Sequence, residues 1–377
     1  TFGYQGNVAE NVSPDFIAKM GSVDSKTGEW KMTWSQLPNP DLKPEKTLSV
    51  NLGVNFAFLK SKLTGTFNWY YKKTTDVITT AKIPYENGTT SMALNDGDVK
   101  NKGWDLAFSV VPVRTKNFMW SLGTSFSGND NTVNSKLEST KDWKKAAAGT
   151  LNKKGYPVGS FWAFRFTGLN PEHGAPMFDF SRADTRQAAE DATEYMAYMG
   201  TIEPTFTVGI NMIFRWKRFS FPLNFYVSRG NYTFLNSPYT SGHRMMSEYR
   251  NASTQLNKRW RNPGDEKHTD IPSIPTGDNS HPLRPFGNGT GVYPLDAWAK
   301  SDVRVVNAWY IRFNDFKFSY SLPDGWIRSF AKNMTVSFTA TNPLQIKSKD
   351  FKGRDPEVAL GQQPRSQNFS LGVNLSF

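Results

Sequence analysis

Cysteine is absent from this 377-residue chain. Without cysteine, neither a disulfide framework nor a thiolate metal site can exist. Long apolar runs are also missing: no stretch of about eighteen consecutive apolar residues occurs, so the sequence offers no candidate for a membrane-spanning helix. The mean hydropathy of −0.55 agrees with that exclusion. Such a value is still compatible with strands that present only one apolar face to a membrane.

Recognisable catalytic and metal-binding patterns are missing as well. The four histidines lie in predicted loops, at spacings unlike those of a metal site; they are His173, His243, His268 and His281. No GxSxG, HExxH or P-loop pattern is present. We therefore expect a protein that is not an enzyme and that has no metal and no other cofactor.

Strict two-residue alternation is the dominant pattern that the chain does have. In "TLSVNLGVNFAFL" (47–59) large apolar residues alternate with small or polar ones. The last residues, "QNFSLGVNLSF", repeat the pattern with Phe369, Leu371, Val373, Leu375 and Phe377. A period of two predicts strands with one apolar and one polar face. For the last strand alone, a soluble β-sandwich is the alternative.

The connections between the predicted strands fall into two classes. Four hairpins have short turns, at 60–62, 114–117, 216–218 and 323–332. Long loops are predicted near 7–46, 75–97, 130–202, 230–308 and 342–367. Short turns on one side and long loops on the other are the organisation of an outer-membrane barrel. Nine complete strands and the tail of a tenth, at Phe2–Gly6, are expected.

The two predicted strand faces differ in the way a membrane barrel requires. One face carries aliphatic and aromatic residues, and the other carries Thr, Ser, Asn and Gly. A lipid-facing exterior and a hydrated interior explain this difference, because a charge facing lipid at mid-bilayer costs roughly 2 to 4 kcal/mol. The net charge of +12 is expected to spread over both rims. We therefore expect contact with outer-membrane lipid and lipopolysaccharide, and no nucleic acid.

Two local irregularities are predicted within the strands. The apolar phase slips from Ile311 and Phe313 to Phe316 and Phe318, which indicates a β-bulge around Asn314. Gly103 interrupts another strand, where it favours a bend or the close approach of a neighbour.

Several longer motifs carry a resemblance to a known family. They are "NPDLKPEKTLSVNLGVNF" (39–56), "LNDGDVKNKGWDLAFSV" (94–110), "GYPVGSFWAFRFTGLNPEHGAPMF" (155–178), "NKRWRNPGD" with "TDIP" (257–272), "WYIRFNDFKFSYSLP" (309–323) and "GRDPEV" (353–358). Together, and in this order, they resemble the SusC/RagA family of TonB-dependent transporters from Bacteroidetes. The resemblance covers nearly the whole chain.

This resemblance implies an all-β fold: the last ten or so strands of a 22-stranded transmembrane antiparallel barrel in the bacterial outer membrane. A barrel of that size holds a plug, and the plug and the TonB-contact segment would precede Thr1, where the chain begins without Met. The family also implies a SusD-like lipoprotein partner, energy supplied through TonB, and import of glycans or peptides. The last strand resembles the outer-membrane sorting signal, with Phe369, Leu371, Val373, Leu375 and Phe377.

Aromatic and basic residues of the long loops are the candidates for substrate binding or partner contact. They are Trp143, Phe161, Trp162, Arg259, Trp260 and Arg261. Aromatic faces stack on sugars or peptide side chains, and guanidinium groups hold carboxylates or sulfates. The alternative is that these residues anchor loop packing or the interface with the lipoprotein.

Three classes of function remain open on the sequence. The first is active import, the second is a SusC-like barrel serving as a scaffold in an outer-membrane assembly or secretion complex, and the third is a soluble β protein that binds or cleaves glycans.

Overall fold

The computed structural model of the chain describes residues 1–7, 17–87, 91–134, 142–181, 191–239, 249, 251–275, 283, 291–352, 355–358 and 362–377. His243, His281 and the first two residues of the "GRDPEV" motif lie outside these ranges.

Strands form most of the described structure. They are β1 (Phe2–Asn7), β2 (Ile17–Val23), β3 (Trp30–Gln36), β4 (Glu45–Phe58), β5 (Leu63–Lys82), β6 (Ser91–Arg114), β7 (Phe118–Val133), β8 (Ser160–Phe164), β9 (Phe166–Leu169), β10 (Pro176–Phe178), β11 (Met196–Thr201), β12 (Phe206–Trp216), β13 (Phe219–Arg229), β14 (Tyr232–Phe234), β15 (Val305–Asn307), β16 (Tyr310–Ser321), β17 (Asn333–Lys347) and β18 (Asn368–Ser376).

Helices are short and lie in the connections. The α-helices are α1 (Trp143–Ala148), α2 (Pro294–Ala299) and α3 (Asp324–Ile327). Single 3₁₀ turns occur at Tyr85–Asn87, Ala192–Glu194, Thr254–Lys258, Asp265–Lys267 and Asp302–Arg304. Within the described ranges, no helix combines the length and the apolar character needed to cross a membrane.

Ten strands pair into one antiparallel sheet in the order β1-β4-β5-β6-β7-β12-β13-β16-β17-β18. The strands follow chain order, and the omitted ones belong to two-stranded ribbons in the long connections. The four tight hairpin turns, after β4, β6, β12 and β16, therefore all lie at one end of the sheet. This arrangement confirms the predicted nine full strands, the short tenth at the chain start and the separation of turns from loops.

The pairing register aligns like residues with like across the sheet. Residues directly opposite each other in an antiparallel pair share a face. One row across eight strands runs Val54, Phe67, Leu106, Phe126, Val208, Val227, Ile311 and Ile346. The neighbouring row runs Asn55, Thr66, Ala107, Ser125, Gly209, Tyr226, Arg312 and Gln345. These rows define an apolar face and a polar face, as the alternation predicts.

The apolar face is not the inside of a sandwich. Leu52 is 62% exposed and Val54 is 59% exposed, and Val50 is half-buried. A second sheet stacked on this face would bury all three. The soluble β-sandwich alternative therefore has no support in the strands themselves.

Both predicted irregularities are present. The consecutive β13 residues Asn224 and Phe225 pair with Asp315 and Phe313 of β16, so Asn314 is the extra residue of a bulge. At Gly103, a Cβ atom would lie 2.3 Å from the Tyr70 hydroxyl oxygen and 2.6 Å from a backbone oxygen of Gly128. Gly103 is therefore needed because two neighbours approach its backbone from adjacent strands.

One predicted loop is shorter than expected. The sequence suggested a loop at 75–97, but β5 and β6 pair continuously past that point as far as Lys82 and Ser91, leaving only 83–90 as the connection. The pairing contains two register shifts, one between Thr74 and Val77 and one between Val77 and Ile78. These shifts disrupt the apolar alternation, which is why the extension was not visible in the pattern. The predicted loop at 7–46 likewise contains the β2–β3 ribbon.

Candidate functional site

The two longest connections fold together at the loop end of the sheet. Their shared core contains Ala146, Ala147, Leu151, Phe161, Trp162, Ala163, Phe164, Ala192, Tyr195, Met196, Phe234, Val292 and Ala297. This core draws residues from both the β7–β12 and the β13–β16 connections. A second, smaller cluster joins Tyr239, Leu256, Leu295 and Trp298. We call this part of the molecule the loop region.

Local sequence features explain how the loop region is built. Asp142 caps α1, where its Oδ1 accepts a hydrogen bond from the Lys145 backbone N–H at 2.9 Å. Gly149 ends the helix with φ of +70°, a conformation that glycine adopts without a steric cost. β8 pairs with β11, and all five β8 residues are buried. β8 is the centre of the core because side chains from both of its faces are covered.

A cavity of about 440 Å³ opens in the loop region beside the "NKRWRNPGD" motif. Its lining combines charged residues with one indole ring: Lys258, Glu266, Lys267, His268, Thr269, Asp270, Ile271, Trp298, Val303 and Arg304. The Arg304 guanidinium lies 4.5 Å from the centre of the Trp298 ring, which is a cation–π contact. Burial lowers the pKa of Arg304, but a guanidinium stays charged at neutral pH.

The carboxylates of this motif hold its backbone rather than a metal. Hydrogen bonds from the backbone N–H groups of Asn262 and Arg261 lower the pKa of Asp265. Glu266 Oε2 accepts hydrogen bonds from Trp260 Nε1 at 3.2 Å and from the Gly264 N–H at 2.7 Å. Over the described part of the chain, no group of three potential ligand side chains is placed to hold a metal ion.

A second polar centre lies where the loop after β17 folds back onto the polar face. Arg312 of β16 is 3% exposed, and its guanidinium lies 2.6 Å from Asp355 Oδ1 and 2.6 Å from Glu357 Oε2. Asp355 also accepts a hydrogen bond from Gln345 Nε2 at 2.9 Å. Tyr310 donates its hydroxyl to Glu357 Oε1 at 2.6 Å. Two wall strands are thus tied to the "GRDPEV" loop by charged hydrogen bonds, which are among the stronger polar contacts in proteins.

Three observations indicate the wall of a membrane barrel. The sheet exposes its apolar face, the long loops gather at one of its ends, and charged residues hold a loop against its polar face. The family model described as "TonB dependent receptor-like, beta-barrel" matches residues 7–226, which is more than half of the chain. The chain belongs to that TonB-dependent receptor family. It is therefore an outer-membrane protein of a family of receptors and transporters, not of enzymes. The polar face of the ten-stranded sheet is the lumen face of a barrel, and the apolar face is its outer face.

Individual members of the family resemble the chain along most of its length. TonB-dependent receptor SusC of Bacteroides thetaiotaomicron is 27% identical over 90% of this chain. TonB-dependent receptor P3 of Formosa agariphila is 23% identical over 100% of it. The aligned regions make up 32% and 39% of those relatives. The chain thus spans between about a third and two fifths of the length of these relatives.

Solved structures show the same fold. The structure of the RagAB peptide transporter matches with a TM-score of 0.76 and 21% identity, over 100% of this chain and 40% of the solved one. The RagAB peptide importer in its "open-open" state matches with a TM-score of 0.73. With identity this low, the likeness concerns the fold. The resemblance to SusC/RagA transporters inferred from the sequence motifs is confirmed.

The predicted binding residues of this TonB-dependent receptor separate into interior and surface groups. Phe161 and Trp162 are 0% and 2% exposed. Trp260 is 7% exposed, and its ring lies against Gly174, where a Cβ atom would come within 2.3 Å of it. These three side chains pack inside the loop region, which agrees with the loop-anchoring alternative. Their burial leaves no open ring face for a sugar or a peptide to stack on.

Three of the predicted residues are nearer the surface. Trp143 is half-buried, with its ring 5.7 Å from that of Phe164. Arg259 is half-buried and donates from Nη1 to the Leu256 carbonyl oxygen at 3.0 Å. Arg261 is exposed and donates to the Asn257 carbonyl oxygen at 3.1 Å. These three remain predicted contact residues.

Three residues of the two described sites were not predicted from the sequence. Trp298 and Arg304 line the cavity. Arg312 forms the ion pairs with Asp355 and Glu357 on the polar face, a cluster that we call the lumen anchor. Arg312 had a visible signal, since it is a charged residue on the polar face of β16, near the end of the strand that meets the loops. Trp298 and Arg304 had none, because they come together with residues 258–271 only in the folded loop region. The five residues of the predicted sorting signal lie on β18 or directly after it and are 42% to 82% exposed. Their sorting role stays a prediction.

Proposed function

We propose that this chain forms part of the wall and of the outer mouth of an importer of oligosaccharides or peptides in the bacterial outer membrane. Two features of the structure together support this proposal. The sheet has an exposed apolar face, and the loop region packs at only one end of the sheet. A barrel that merely spanned the membrane would not need two long connections that share one buried core. Long connections of this kind in compact proteins are usually functional.

The proposal includes a SusD-like lipoprotein seated on the loop region. The 27% identity with SusC of Bacteroides thetaiotaomicron over 90% of the chain supports a complex of this type. The connections 130–202 and 230–308 are the two longest, and parts of both pack into one shared core. A stable contact of this kind buries more than about 1,000 Å² in total.

TonB would energise the import through a plug and a contact segment in other parts of the protein. We propose that the part played by this chain is to keep the loops of the outer mouth in a fixed position relative to the barrel wall. The Arg312 anchor, which joins β16 and β17 to Asp355 and Glu357, supports that role.

For the substrate, we propose an oligosaccharide or a peptide that carries polar or charged groups. The cavity beside 258–271 presents both cations and carboxylates around an indole ring. Arg261 is exposed nearby, and a guanidinium can hold a carboxylate or a sulfate in a bidentate manner.

The test is to shorten the connection 130–202 or the connection 230–308 to a tight turn in the full-length protein. Co-purification of the lipoprotein from detergent-solubilised membranes and uptake of labelled oligosaccharide and peptide are then measured. Shortening the connection 83–90 at the same end serves as the control. We expect loss of the lipoprotein and of uptake for the two long connections and little change for the control.

The same experiment separates import from the scaffold alternative. Uptake that fails while the barrel still shows heat-modifiable migration supports import. Normal uptake and a stoichiometric lipoprotein in both shortened variants would contradict the proposal.

A further inference from the structure

The turn end of the sheet carries most of the net charge of the chain. We define the turn rim as residues 59–62, 114–117, 215–218 and 322–332. It contains nine basic residues, Lys60, Lys62, Arg114, Lys116, Arg215, Lys217, Arg218, Arg328 and Lys332, and one acidic residue, Asp324. The rim therefore accounts for a net +8 of the total +12. The remaining +4 is divided among the strands and the long loops, so the charge is spread less evenly than expected and lies mostly at the turn rim.

These rim charges are exposed and largely unopposed. All nine basic residues are exposed. Within the described residues, the rim forms one ion pair, between Arg218 and Asp324 at 3.4 Å. Toward the loop end, in contrast, lysines lie beside carboxylates, as in Lys46–Asp76, Lys73–Asp98, Lys102–Asp130 and Lys153–Asp191. The unopposed positive potential is thus specific to one end of the barrel.

Exposed aromatic residues accompany the charges on the rim. Trp216 is 54% exposed, Trp326 71% and Phe330 53%. Trp216 lies on the apolar face, opposite Phe118 and Phe219 in the sheet, and Lys217 Nζ lies 5.6 Å from the centre of its ring. Aromatic residues of barrels gather at the level of the lipid headgroups. The basic side chains therefore lie at the depth where phosphate groups are found.

We propose that the turn rim is a binding surface for anionic phospholipid headgroups of the leaflet that meets the tight turns. Lys and Arg side chains near a membrane interface extend along the apolar surface and place their charges among the headgroups. Each basic residue near an anionic surface contributes attraction equivalent to roughly a fivefold increase in binding. Nine such residues on one ring, set among aromatics, give a preference for anionic over zwitterionic lipid.

An acidic soluble protein is the other partner that positive charge could attract. The aromatic residues favour lipid, because Trp216 continues the lipid-facing row of β12 instead of facing away from the membrane. The inference rests on the membrane placement of the sheet and does not require that the protein imports anything.

The experiment compares lipid preference in purified full-length protein reconstituted into vesicles of phosphatidylethanolamine, with and without phosphatidylglycerol. The turn-rim variant is K60Q/K62Q/K116Q/K217Q. The matched control is K144Q/K145Q/K258Q/K267Q, which removes four exposed lysines from the loop region. Enrichment of phosphatidylglycerol around the protein is measured by mass spectrometry of the lipids that co-purify after mild detergent extraction.

We expect the unmodified protein to enrich phosphatidylglycerol, and the turn-rim variant to lose that enrichment by roughly tenfold or more. The control variant should retain it. Enrichment should also fall in 0.5 M salt, because exposed charges are screened there. Replacing the same four rim lysines with Arg should preserve it, and heat-modifiable migration verifies that each variant is folded.

Equal enrichment in the turn-rim variant and the unmodified protein would overturn the inference. An equal loss of enrichment in the loop-region control would also overturn it. A turn-rim variant that assembles poorly in cells but keeps its lipid preference would overturn it too, and would indicate an acidic protein partner. The uptake assay reports on the proposed import separately, since lipid enrichment is measured without any substrate.

Discussion

Leu371 on β18 is 82% exposed, whereas Phe161 on β8 is 0% exposed. Both are large apolar residues on strands, but β18 alternates apolar with polar residues and belongs to the barrel wall, whereas β8 is a nearly continuous apolar run in the loop region. The wall leaves its apolar side chains exposed on the outer face of the sheet and gathers polar residues on the lumen side. The loop region does the reverse and buries its aromatic rings among themselves. The difference shows that burial here is set by which segments of the chain pack over a residue, not by residue type.

Truncating the loop core should have the largest effect. Trp162→Ala removes a side chain that is 2% exposed and in contact with the rings of Tyr156 and Tyr198. Such truncations cost about 3 to 5 kcal/mol. We expect the loop region to become sensitive to protease while the barrel keeps heat-modifiable migration. Tyr249→Ala, at a position 95% exposed, is the control; equal protease resistance of the two variants would contradict the separation of the two regions.

Breaking the lumen anchor tests the contact that joins wall and loop. Asp355→Asn leaves the buried Arg312 with only Glu357 as a charged partner, and loss of one member of a buried pair costs about 3 kcal/mol or more. We expect faster hydrogen exchange in 348–358, measured by mass spectrometry. Asp350→Asn, at an exposed position in the same loop, should leave exchange unchanged. If both variants exchange alike, the anchor does not hold the loop.

The pH dependence of this anchor follows from its charges. Burial by itself raises the pKa of Asp355, but hydrogen bonds from Arg312, Gln345 and the Glu357 N–H outweigh it and hold the pKa below the ordinary 3.8. A lowered folded-state pKa means that the stabilisation is fully present above the unfolded value and is lost as pH falls through the folded value. The loop should therefore stay anchored from neutral pH down to about pH 4. Release at pH 6 in the unmodified protein would argue against this assignment.

A charged substitution should reduce folding on the apolar face of a strand and be tolerated on its polar face. Leu52→Arg places a guanidinium on the apolar face near the middle of β4, where the cost is about 2 to 4 kcal/mol if the residue meets mid-bilayer lipid. Asn55→Arg, on the lumen face of the same strand, should be tolerated. The folded fraction after reconstitution, read from heat-modifiable migration along a urea series, measures both. Equal losses for the two variants would refute the assignment of the faces.

The smallest effect concerns the start of α1. Asp142→Ala removes the side-chain acceptor of the Lys145 N–H, and loss of such a cap costs about 1 kcal/mol. We expect a modest increase in hydrogen exchange at 143–148 and no change in barrel migration. Glu172→Ala, an exposed carboxylate of the same connection, should have no effect there. An unchanged exchange rate in the Asp142 variant would mean that packing of Ala146 and Ala147 alone defines the helix.

Pattern reasoning succeeded where the chain repeats a two-residue period and failed where the period breaks. It predicted ten strands and the bulge at Asn314, because each depends on side-chain parity along one strand. It ended β5 too early, since the shifts between Thr74 and Ile78 interrupt that parity while pairing continues. For the candidate site it named Arg259 and Arg261, which are not among the residues that line the cavity and which stay predictions. It did not name Arg304, which meets Trp298 only in the folded loop region and leaves no periodic trace in the sequence.

The sequence by itself determined the strand number, the two strand faces, the segregation of turns from loops and the family, because alternation and turn residues act locally along the chain. Only the tertiary structure decided what the loop aromatics do. The sequence left both substrate stacking and loop packing open for Phe161 and Trp162, and the structure buries both in the loop core, because segments from two different connections close over them. Tertiary structure also brought Arg312 to Asp355, 43 residues apart in sequence. Burial and ion pairing depend on which distant segments meet, and no local pattern encodes that.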